Sequence, residues 1–336
     1  MNILKSAIGA IAIATATFAA LPAAAQDPGP EAYKNALEGK RIVMVPMAMG
    51  FDLAQGWAGY LSKEIPNFGG VFETRDPNWS VEAGAQAIAE AITSDPKPDV
   101  LIVMAPDMNS YSKLMRRAQK AGIFVFLIDN PANFKADAFF GGDWTEMGRI
   151  EAKEAVRACG EGSSKQIGLV QGDQTNATSL FQYNGIVEEM AKHDGFEIVA
   201  EPFSNWDATT SRTVTTTMLQ QHPDICAIID FWDGDAVGAA AAIREAGLSG
   251  KVHLIANGGG EKSANCDAIK NGTYGAVVST SVERESYDML AMMKYLLQSN
   301  VKPGDAATYI YTETDTINDM TMTDSSCWDL SALTAQ

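Results

Sequence analysis

Short apolar runs alternate with helical patterns along most of this chain, and that rhythm constrains the fold more than any other feature. The runs are rich in Val, Ile and Phe and cover residues 42–47, 100–105, 124–128, 167–170, 225–229 and 252–256. Strands that are apolar throughout are typical of parallel sheets covered by helices on both faces. The alternation therefore predicts an α/β architecture built from β-α-β units.

Local signals indicate where several connecting helices begin and end. Ser80 is a typical N-cap residue, and the following residues place apolar side chains on one helical face. Asn109 or Ser110 is expected to cap the next helix, which should stop at Gly122. A later helix is expected over residues 233–247.

The rhythm runs twice along the chain, which predicts two lobes of similar design. Apolar strands start near positions 42, 71, 100 and 124, and again near 167, 197, 225 and 252. Residues 139–144 between the halves read as a strand that leads directly into a helix. We therefore expect strand-like crossovers between the lobes, with weaker patterns in the terminal segments 27–39 and 318–336.

Length and charge limit the possible partners. The chain has 336 residues, enough for two hydrophobic cores, with 25 Lys and Arg against 42 Asp and Glu, a net charge of −17. Nucleic acids and anionic lipid surfaces attract basic proteins, so both are disfavoured as partners. The same balance disfavours an anionic ligand, although a local pocket could still bind one.

The first 25 residues form a pattern of their own. A basic start with Lys5 precedes an apolar run over residues 7–21, and three small residues, 23–25, stand before Gln26. This pattern is typical of a cleavable secretory signal, so we expect the mature chain to begin at Gln26. The apolar run is too short and too rich in Ala to favour a membrane span over a cleaved signal, and no Cys near the cleavage point offers a lipid anchor. The expected product is an exported protein.

Export changes what the cysteines imply, because an oxidising compartment favours disulfides. Four cysteines allow three pairings, between which their spacing does not choose. No C-x-x-C motif occurs and the three histidines are scattered, so a zinc site is not expected. The cysteines are Cys159, Cys226, Cys266 and Cys327.

Ligands of open parallel sheets bind outside the carboxyl ends of the strands, so the residues there are the candidate site. They combine acids, amides and indoles, which suit a neutral polyhydroxylated ligand through hydrogen bonds to hydroxyls and stacking on C–H faces. The candidates are Phe51, Asp52, Trp79, Asp107, Asp129 and Asn130 in the first half, and Trp206, Trp232, Asp233, Asn257 and Thr280 in the second.

Some of these residues have plainer explanations. Asp107 and Asp233 are equally well explained as helix N-caps, and Trp144 could simply cover a core. Asp129 follows the most apolar strand and precedes Asn-Pro, which a capping role does not explain. The run 258–261 is rich in glycine but lacks the lysine and spacing of a nucleotide-binding loop, so a permissive turn is preferred.

Taken in order, these features resemble the type I periplasmic sugar-binding proteins of ABC importers, the ribose-binding group. The resemblance covers nearly all of the mature chain and implies two Rossmann-like lobes with parallel sheets, joined by three hinge crossovers that close on a sugar. It rests on the Phe51 loop, the segment 124–131, the crossover 141–143, the Gln171-Gly172 turn and the Trp232-Asp233-x-x-Ala-x-Gly helix start.

The resemblance also implies ligand contacts, and some positions depart from the family pattern. Asp129 corresponds to an Asp that holds sugar hydroxyls, but Asn130 stands where an Arg usually follows. Gln182 replaces a second Arg, and Asn257 replaces an Asp. The site is therefore expected to carry less charge than its relatives.

Compared with the family pattern, the expected site also has more aromatic residues. Trp206 corresponds to a stacking aromatic of the second lobe, and Trp232 replaces an Asn beside the retained Asp233. Thr280 stands where the family has a Gln. These departures argue against ordinary ribose recognition and favour an altered sugar or a sugar alcohol.

The implied layout assigns residues to lobes and cysteines to pairs. The N-terminal lobe would comprise 26–143 and 281–310, and the C-terminal lobe 144–280 and 311–336. Hinges are expected near residues 143, 280 and 311. On this layout Cys159 with Cys226, and Cys266 with Cys327, is the preferred pairing.

The expected function is that of a monomeric solute-binding subunit that presents its ligand to an ABC permease, without cofactor or metal. Two alternatives remain open. One is a periplasmic sensor that presents the sugar to a chemoreceptor or sensor kinase. The other is an exported sugar-processing enzyme with Asp129 and Asp233 as paired carboxylates, although no G-x-S-x-G or other activated-nucleophile pattern occurs.

Overall fold

The computed structural model describes residues 29–334, so the expected signal segment and mature start at Gln26 lie outside the described residues. Across residues 29–334, every helix is too short or too polar to span a bilayer.

The described residues alternate between strands and helices as the sequence predicts. The strands are β1 (Arg41–Val45), β2 (Val71–Thr74), β3 (Val100–Val103), β4 (Phe124–Ile128), β5 (Ala138–Gly141), β6 (Gln166–Val170), β7 (Glu197–Ala200), β8 (Ala227–Asp230), β9 (His253–Gly258), β10 (Ala276–Ser279), β11 (Thr308–Tyr311) and β12 (Asp315–Asn318). The α-helices are α1 (Gly29–Lys34), α2 (Asp52–Glu64), α3 (Val81–Thr93), α4 (Ser112–Lys120), α5 (Trp144–Cys159), α6 (Ala177–Met190), α7 (Ala208–Gln221), α8 (Asp233–Glu245), α9 (Asp267–Lys270), α10 (Val282–Gln298) and α11 (Leu330–Thr334).

The strands form two sheets of six. The first has the order β11-β5-β4-β3-β1-β2, with every pairing parallel, and the second has the order β12-β10-β9-β8-β6-β7. In the second sheet only β12 runs antiparallel to its neighbour. The predicted α/β fold of two lobes with parallel sheets is confirmed.

Helices cover both faces of each sheet, which explains why the central strands are apolar throughout. Every residue of β3 and β4 is buried. In the first lobe α2 and α10 pack on one face and α3 and α4 on the other. The edge strand β2 is only partly covered, which accounts for its weaker sequence pattern.

Most predicted helix ends agree with the structure, and one differs. The Ser80 side chain accepts the Ala83 N–H at 3.1 Å, as expected of an N-cap. The helix predicted to start at Asn109 or Ser110 begins instead at Ser112. Asp107 accepts the backbone N–H groups of Asn109 and Ser110 at 2.7 and 2.8 Å, which holds these residues in a turn before the helix.

The chain passes between the two sheets three times. The passages lie between β5 and α5, between β10 and α10, and between β11 and β12, which belong to different sheets. They fall close to the expected hinge positions 143, 280 and 311, although β11 keeps Tyr311 within the first sheet.

The end of the chain contacts both lobes, whereas the sequence assigned residues 311–336 to the C-terminal lobe alone. Residues 327–333, here called the C-terminal strap, are tied to the second lobe by backbone hydrogen bonds of Trp328 with Gly260 and Lys262, at 3.0 and 2.7 Å. Trp328 and Leu333 also pack against Gly56 and Gly59 of α2, whose missing side chains allow this close approach.

Two disulfides hold the second lobe and the strap. Cys159, at the end of α5, is bonded to Cys226, just before β8, with Cα atoms 5.4 Å apart. Cys266 is bonded to Cys327 of the strap, with Cα atoms 6.2 Å apart. These are the two pairs preferred from the sequence.

Peptide mapping without reduction tests the pairing. We expect linked peptides for Cys159 with Cys226 and for Cys266 with Cys327. Either of the two other pairings of the four cysteines would contradict the structure. The double variant Cys266→Ser/Cys327→Ser opens a loop with a sequence separation of 61. The chain-entropy model then gives a loss of about 4 kcal/mol in unfolding free energy, measurable by denaturant titration.

Candidate functional site

A cavity lies between the lobes, where the carboxyl ends of the two sets of strands meet. The space between the surrounding side chains is partly enclosed and partly open to solvent. The lining residues are Met47, Leu53, Trp79, Met104, Asp129 and Asn130 before the first crossover, and Trp144, Asn176, Thr178, Trp206, Phe231, Trp232, Asn257, Gly258 and Thr280 after it. We call this space the cleft cavity.

The structure brings seven of the twelve candidate residues together around the cleft cavity. The five others lie beside or behind the lining. Those that line it are Trp79, Asp129, Asn130, Trp206, Trp232, Asn257 and Thr280, and those that do not are Phe51, Asp52, Asp107, Gln182 and Asp233.

Indole rings from both lobes meet at the cavity. The ring of Trp79 from the first lobe lies 6.0 Å from that of Trp232, which lies 6.4 Å from Trp206. Phe51 packs behind them, 5.4 Å from Trp79 and 5.7 Å from Trp232 between ring centroids. Phe51 therefore supports the aromatic wall rather than lining the cavity.

Asp129 occupies an unusual backbone position at the end of β4. Its φ of 63° is in the left-handed region, which is uncommon for a residue with a side chain. The Asp129 N–H donates to Phe140 at 2.7 Å, and the Trp144 indole N–H donates to the Asp129 carbonyl at 2.8 Å. Trp79 and Trp206 share this left-handed conformation, and such outliers cluster at functional sites.

The Asp129 carboxyl is buried, and within residues 29–334 its Oδ1 receives no hydrogen bond. The residue is 5 % exposed. Burial raises the pKa of Asp129 to about 7. Burial, and then the nearby charge of Asp129, also raise the pKa of Glu285 on α10 to about 8.

Asn130 presents an acceptor to the cavity. Its Nδ2 donates to the Ala105 carbonyl at 2.7 Å and to the Met47 sulfur at 3.3 Å. Since both amide hydrogens are used inside the protein, the Asn130 Oδ1 is the atom left for a ligand.

Asn257 is held in the same way by a buried acid that the sequence did not single out. Its Nδ2 donates to the Phe231 carbonyl at 2.8 Å and to Glu151 at 3.0 Å. Gln182 lies behind the lining and donates to both oxygens of Glu151, at 3.0 and 2.8 Å. Burial raises the pKa of Glu151 to about 8. The sequence did contain a signal for these hydrogen bonds, because Glu151 is an acid on the apolar face of α5.

Asp233 and Asp52 lie behind the cavity wall. Asn265 donates to the Asp233 carboxyl at 2.5 Å, and Gly258 leaves room for this carboxyl because it has no side chain. Burial, and then the charge of Asp52, raise the pKa of Asp233 well above its usual value. Since Asp233 does not reach the cavity, Asp129 and Asp233 do not form the paired carboxylates of the enzyme hypothesis.

The Asp107 region contributes a contact between the lobes. Asp107 is occupied by its own turn, as described above. The carbonyl of its neighbour Pro106 accepts a hydrogen bond of 3.0 Å from Asn176 of the second lobe. Asn176 also caps α6 and accepts the Thr178 hydroxyl at 2.5 Å. The sequence could have suggested Asn176 as a site residue, because it is the N-cap of the helix that follows β6.

Comparison with known proteins identifies the family. Residues 42–300 match the model of the periplasmic binding protein domain. The chain belongs to this family. The resemblance seen in the sequence is therefore confirmed at the level of family and fold.

Curated relatives of this periplasmic binding protein are distant. A D-ribose/D-allose-binding protein of Pseudomonas aeruginosa is 26 % identical over 227 residues, which cover 64 % of this chain and 68 % of the relative. The D-allose-binding periplasmic protein of Escherichia coli is 30 % identical over 152 residues, or 43 % of this chain and 48 % of that protein.

Solved structures share the fold over most of the chain. An ABC transporter solute-binding protein from Agrobacterium vitis, bound with α-D-tagatopyranose, superposes with a TM-score of 0.77 at 18 % identity, covering 86 % of this chain and 97 % of that one. The Caulobacter myo-inositol binding protein superposes with a TM-score of 0.74 at 21 % identity, covering 83 % and 93 %.

The raised pKa values of the buried acids predict how stability depends on pH. Asp129, Glu151 and Glu285 titrate near pH 7 to 8 in the folded protein, and at about 4 in the unfolded chain. The folded state therefore binds more protons between these limits, so the stability that these three acids contribute is greatest below about pH 4 and is lost as the pH rises to about 8.

Thermal melts between pH 4.5 and 8.5 measure this slope. Glu151→Gln should flatten it, whereas Glu82→Gln, on the exposed side of α3, should leave it unchanged. A melting temperature that rises steadily towards pH 8 would contradict the burial of these acids in protonated form.

Proposed function

We propose that this protein is the solute-binding subunit of an ABC importer and that it binds a neutral sugar or sugar alcohol in the cleft cavity. The observation that carries the proposal is the cavity itself, where indole rings of both lobes lie beside a buried carboxyl that has no partner. A membrane permease would receive the ligand, and binding requires no cofactor.

The cavity chemistry suits a polyhydroxylated ligand. Oxygens of Asp129, Asn130 and Asn257 can accept hydrogen bonds from hydroxyl groups, and indole faces can pack against the C–H faces of a ring or chain. The Trp206 Nε1 is buried without an acceptor. An unsatisfied buried polar group costs about 1–3 kcal/mol, so a hydroxylated ligand that pairs with these atoms removes that cost.

The ligands of the relatives support this class. Their names specify D-ribose, D-allose, D-tagatose and myo-inositol, all of which are polyhydroxylated. Asn130 lines the cavity at the position where the resemblance implies an arginine, and Trp232 lines it where the resemblance implies an Asn, so both favour a ligand other than ribose.

Closure of the lobes about their three crossovers is the proposed mechanism. Contacts across the cleft already link Trp79 with Trp232 and Asn176 with Pro106. A ligand that touches both lobes adds contacts that only the closed state makes, and this difference shifts the equilibrium towards closure.

Export to the periplasm is part of the proposal. The first 25 residues have the pattern of a cleavable signal, and two disulfides suit an oxidising compartment. The mature protein would act there as a monomer.

A thermal-shift screen of the purified protein tests the proposed ligand class. The screen covers pentoses, hexoses, tetritols, pentitols, hexitols and inositols, with amino acids and nucleosides as other classes. Binding at a hundredfold excess over Kd stabilises the protein by about 2.7 kcal/mol. A shift with amino acids or nucleosides but with no carbohydrate would overturn the class.

The Trp206→Ala variant locates the binding site. It should weaken binding of any ligand found in the screen by about tenfold or more, because a stacking surface and a donor are lost. Tyr295→Ala removes an exposed ring of α10 away from the cavity and serves as the matched control. Equal affinities of the two variants would place the ligand elsewhere.

Small-angle X-ray scattering tests closure. The radius of gyration should decrease when a ligand identified in the screen is added, and it should not change with a sugar that does not bind. A ligand that binds by calorimetry without any compaction would contradict the hinge mechanism.

A further inference from the structure

Within the described residues, the lining of the cleft cavity contains an acidic side chain but no basic one. Among the fifteen lining residues named above, Asp129 is the only one with an ionisable side chain. No Lys, Arg or His of residues 29–334 is among them. The cavity thus holds a buried acid without a basic side chain in its wall.

The part of the chain that the structure describes places no basic side chain in the cavity wall beside Asp129. The buried Oδ1 of Asp129 accepts no hydrogen bond from the described residues, and Glu285 nearby carries the same sign when ionised. The following residue, Asn130, turns both of its amide hydrogens away from the cavity. A buried carboxylate is stable when paired, so the partner of Asp129 must come with the ligand or Asp129 must stay protonated.

The neighbouring amides strengthen this bias towards acceptors. The Oδ1 atoms of Asn130 and Asn257 are the free atoms of their side chains, because their Nδ2 groups are engaged within the protein. Together with Asp129 they place three side chains with acceptor oxygens around one space. A hydroxyl donates one hydrogen bond, whereas a protonated amine donates three.

The aromatic wall favours the same chemistry. Indole rings attract cations through their faces, and tryptophan is the strongest of the aromatic residues in this respect. Trp79, Trp206 and Trp232 surround the cavity, and Trp144 fixes the Asp129 backbone. A cation between them would be stabilised both by the rings and by the carboxylate.

We infer that the cleft cavity selects a polyhydroxylated ligand that carries a protonated amino group, with the nitrogen held against the Asp129 carboxylate. The inference rests on the proposed function and narrows its ligand class: neutral sugars and sugar alcohols bind, and their amino-substituted counterparts bind more tightly. Hydroxyl groups and C–H faces of such a ligand keep the contacts described above.

Calorimetry at pH 7 with matched pairs tests the inference. Each pair differs in one group, hydroxyl or amino: D-glucose and D-glucosamine, D-galactose and D-galactosamine, sorbitol and 1-amino-1-deoxysorbitol, and myo-inositol and a monoamino-deoxyinositol. At least one amino member should bind about ten- to a hundredfold more tightly than its parent, the range expected for a hydrogen-bonded charge pair.

The Asp129→Asn variant tests whether Asp129 causes the tighter binding of amino-substituted ligands. It keeps the size of the side chain and removes the charge, so the ratio of the two dissociation constants within a pair should fall to about one. Asp305→Asn, which changes an exposed acid outside the cavity, is the matched control and should keep the wild-type ratio. An unchanged ratio in Asp129→Asn would overturn the assignment.

The outcomes separate the inference from the function on which it rests. If neutral members bind and no amino member binds more tightly, the inference is wrong and the proposed function stands. If neither the amino members nor any carbohydrate or polyol of the thermal-shift screen binds, the proposed carbohydrate ligand class is wrong and the inference falls with it. The wild-type ratios alone decide this, even if Asp129→Asn does not fold.

Discussion

Parallel pairing of buried strands determines where polar chemistry can occur in this molecule. The central strands of both sheets are covered on two faces, so their interiors tolerate little except apolar side chains. Polar residues are therefore concentrated where strands end. Because parallel strands all end at the same edge, each lobe presents one polar edge, and the three crossovers place these edges opposite each other.

The same constraint explains why the fold was predictable from the sequence. Apolar runs of fixed spacing identify strands, and the intervening helical patterns require parallel crossovers. Residues that follow the predicted strands can then be named as site candidates without knowing where their side chains lie. They include Trp79, Asp129, Trp206, Trp232 and Asn257. Asp129 was recognisable because no helix follows it directly.

The sequence could not predict which side chains at the strand ends reach the cleft cavity and which are buried behind its wall. Asp233 and Gln182 occupy the expected elements but lie one layer below the surface of the cavity, bonded to Asn265 and Glu151. Whether a side chain reaches the cavity depends on the glycine at 258 and on the packing of α5 against α6, which are contacts between distant parts of the chain. Asn176 was missed because its role as an N-cap hides its contact with the other lobe.

The C-terminal strap sets a limit on how the lobes can separate. Its covalent anchor is in the second lobe, through Cys327, while Trp328 and Leu333 lie on α2 of the first. Any opening that moves α2 away must uncover the Trp328 ring or carry the strap along. Because either movement exposes apolar surface or displaces the strap, wide separation of the lobes about the three crossovers is opposed.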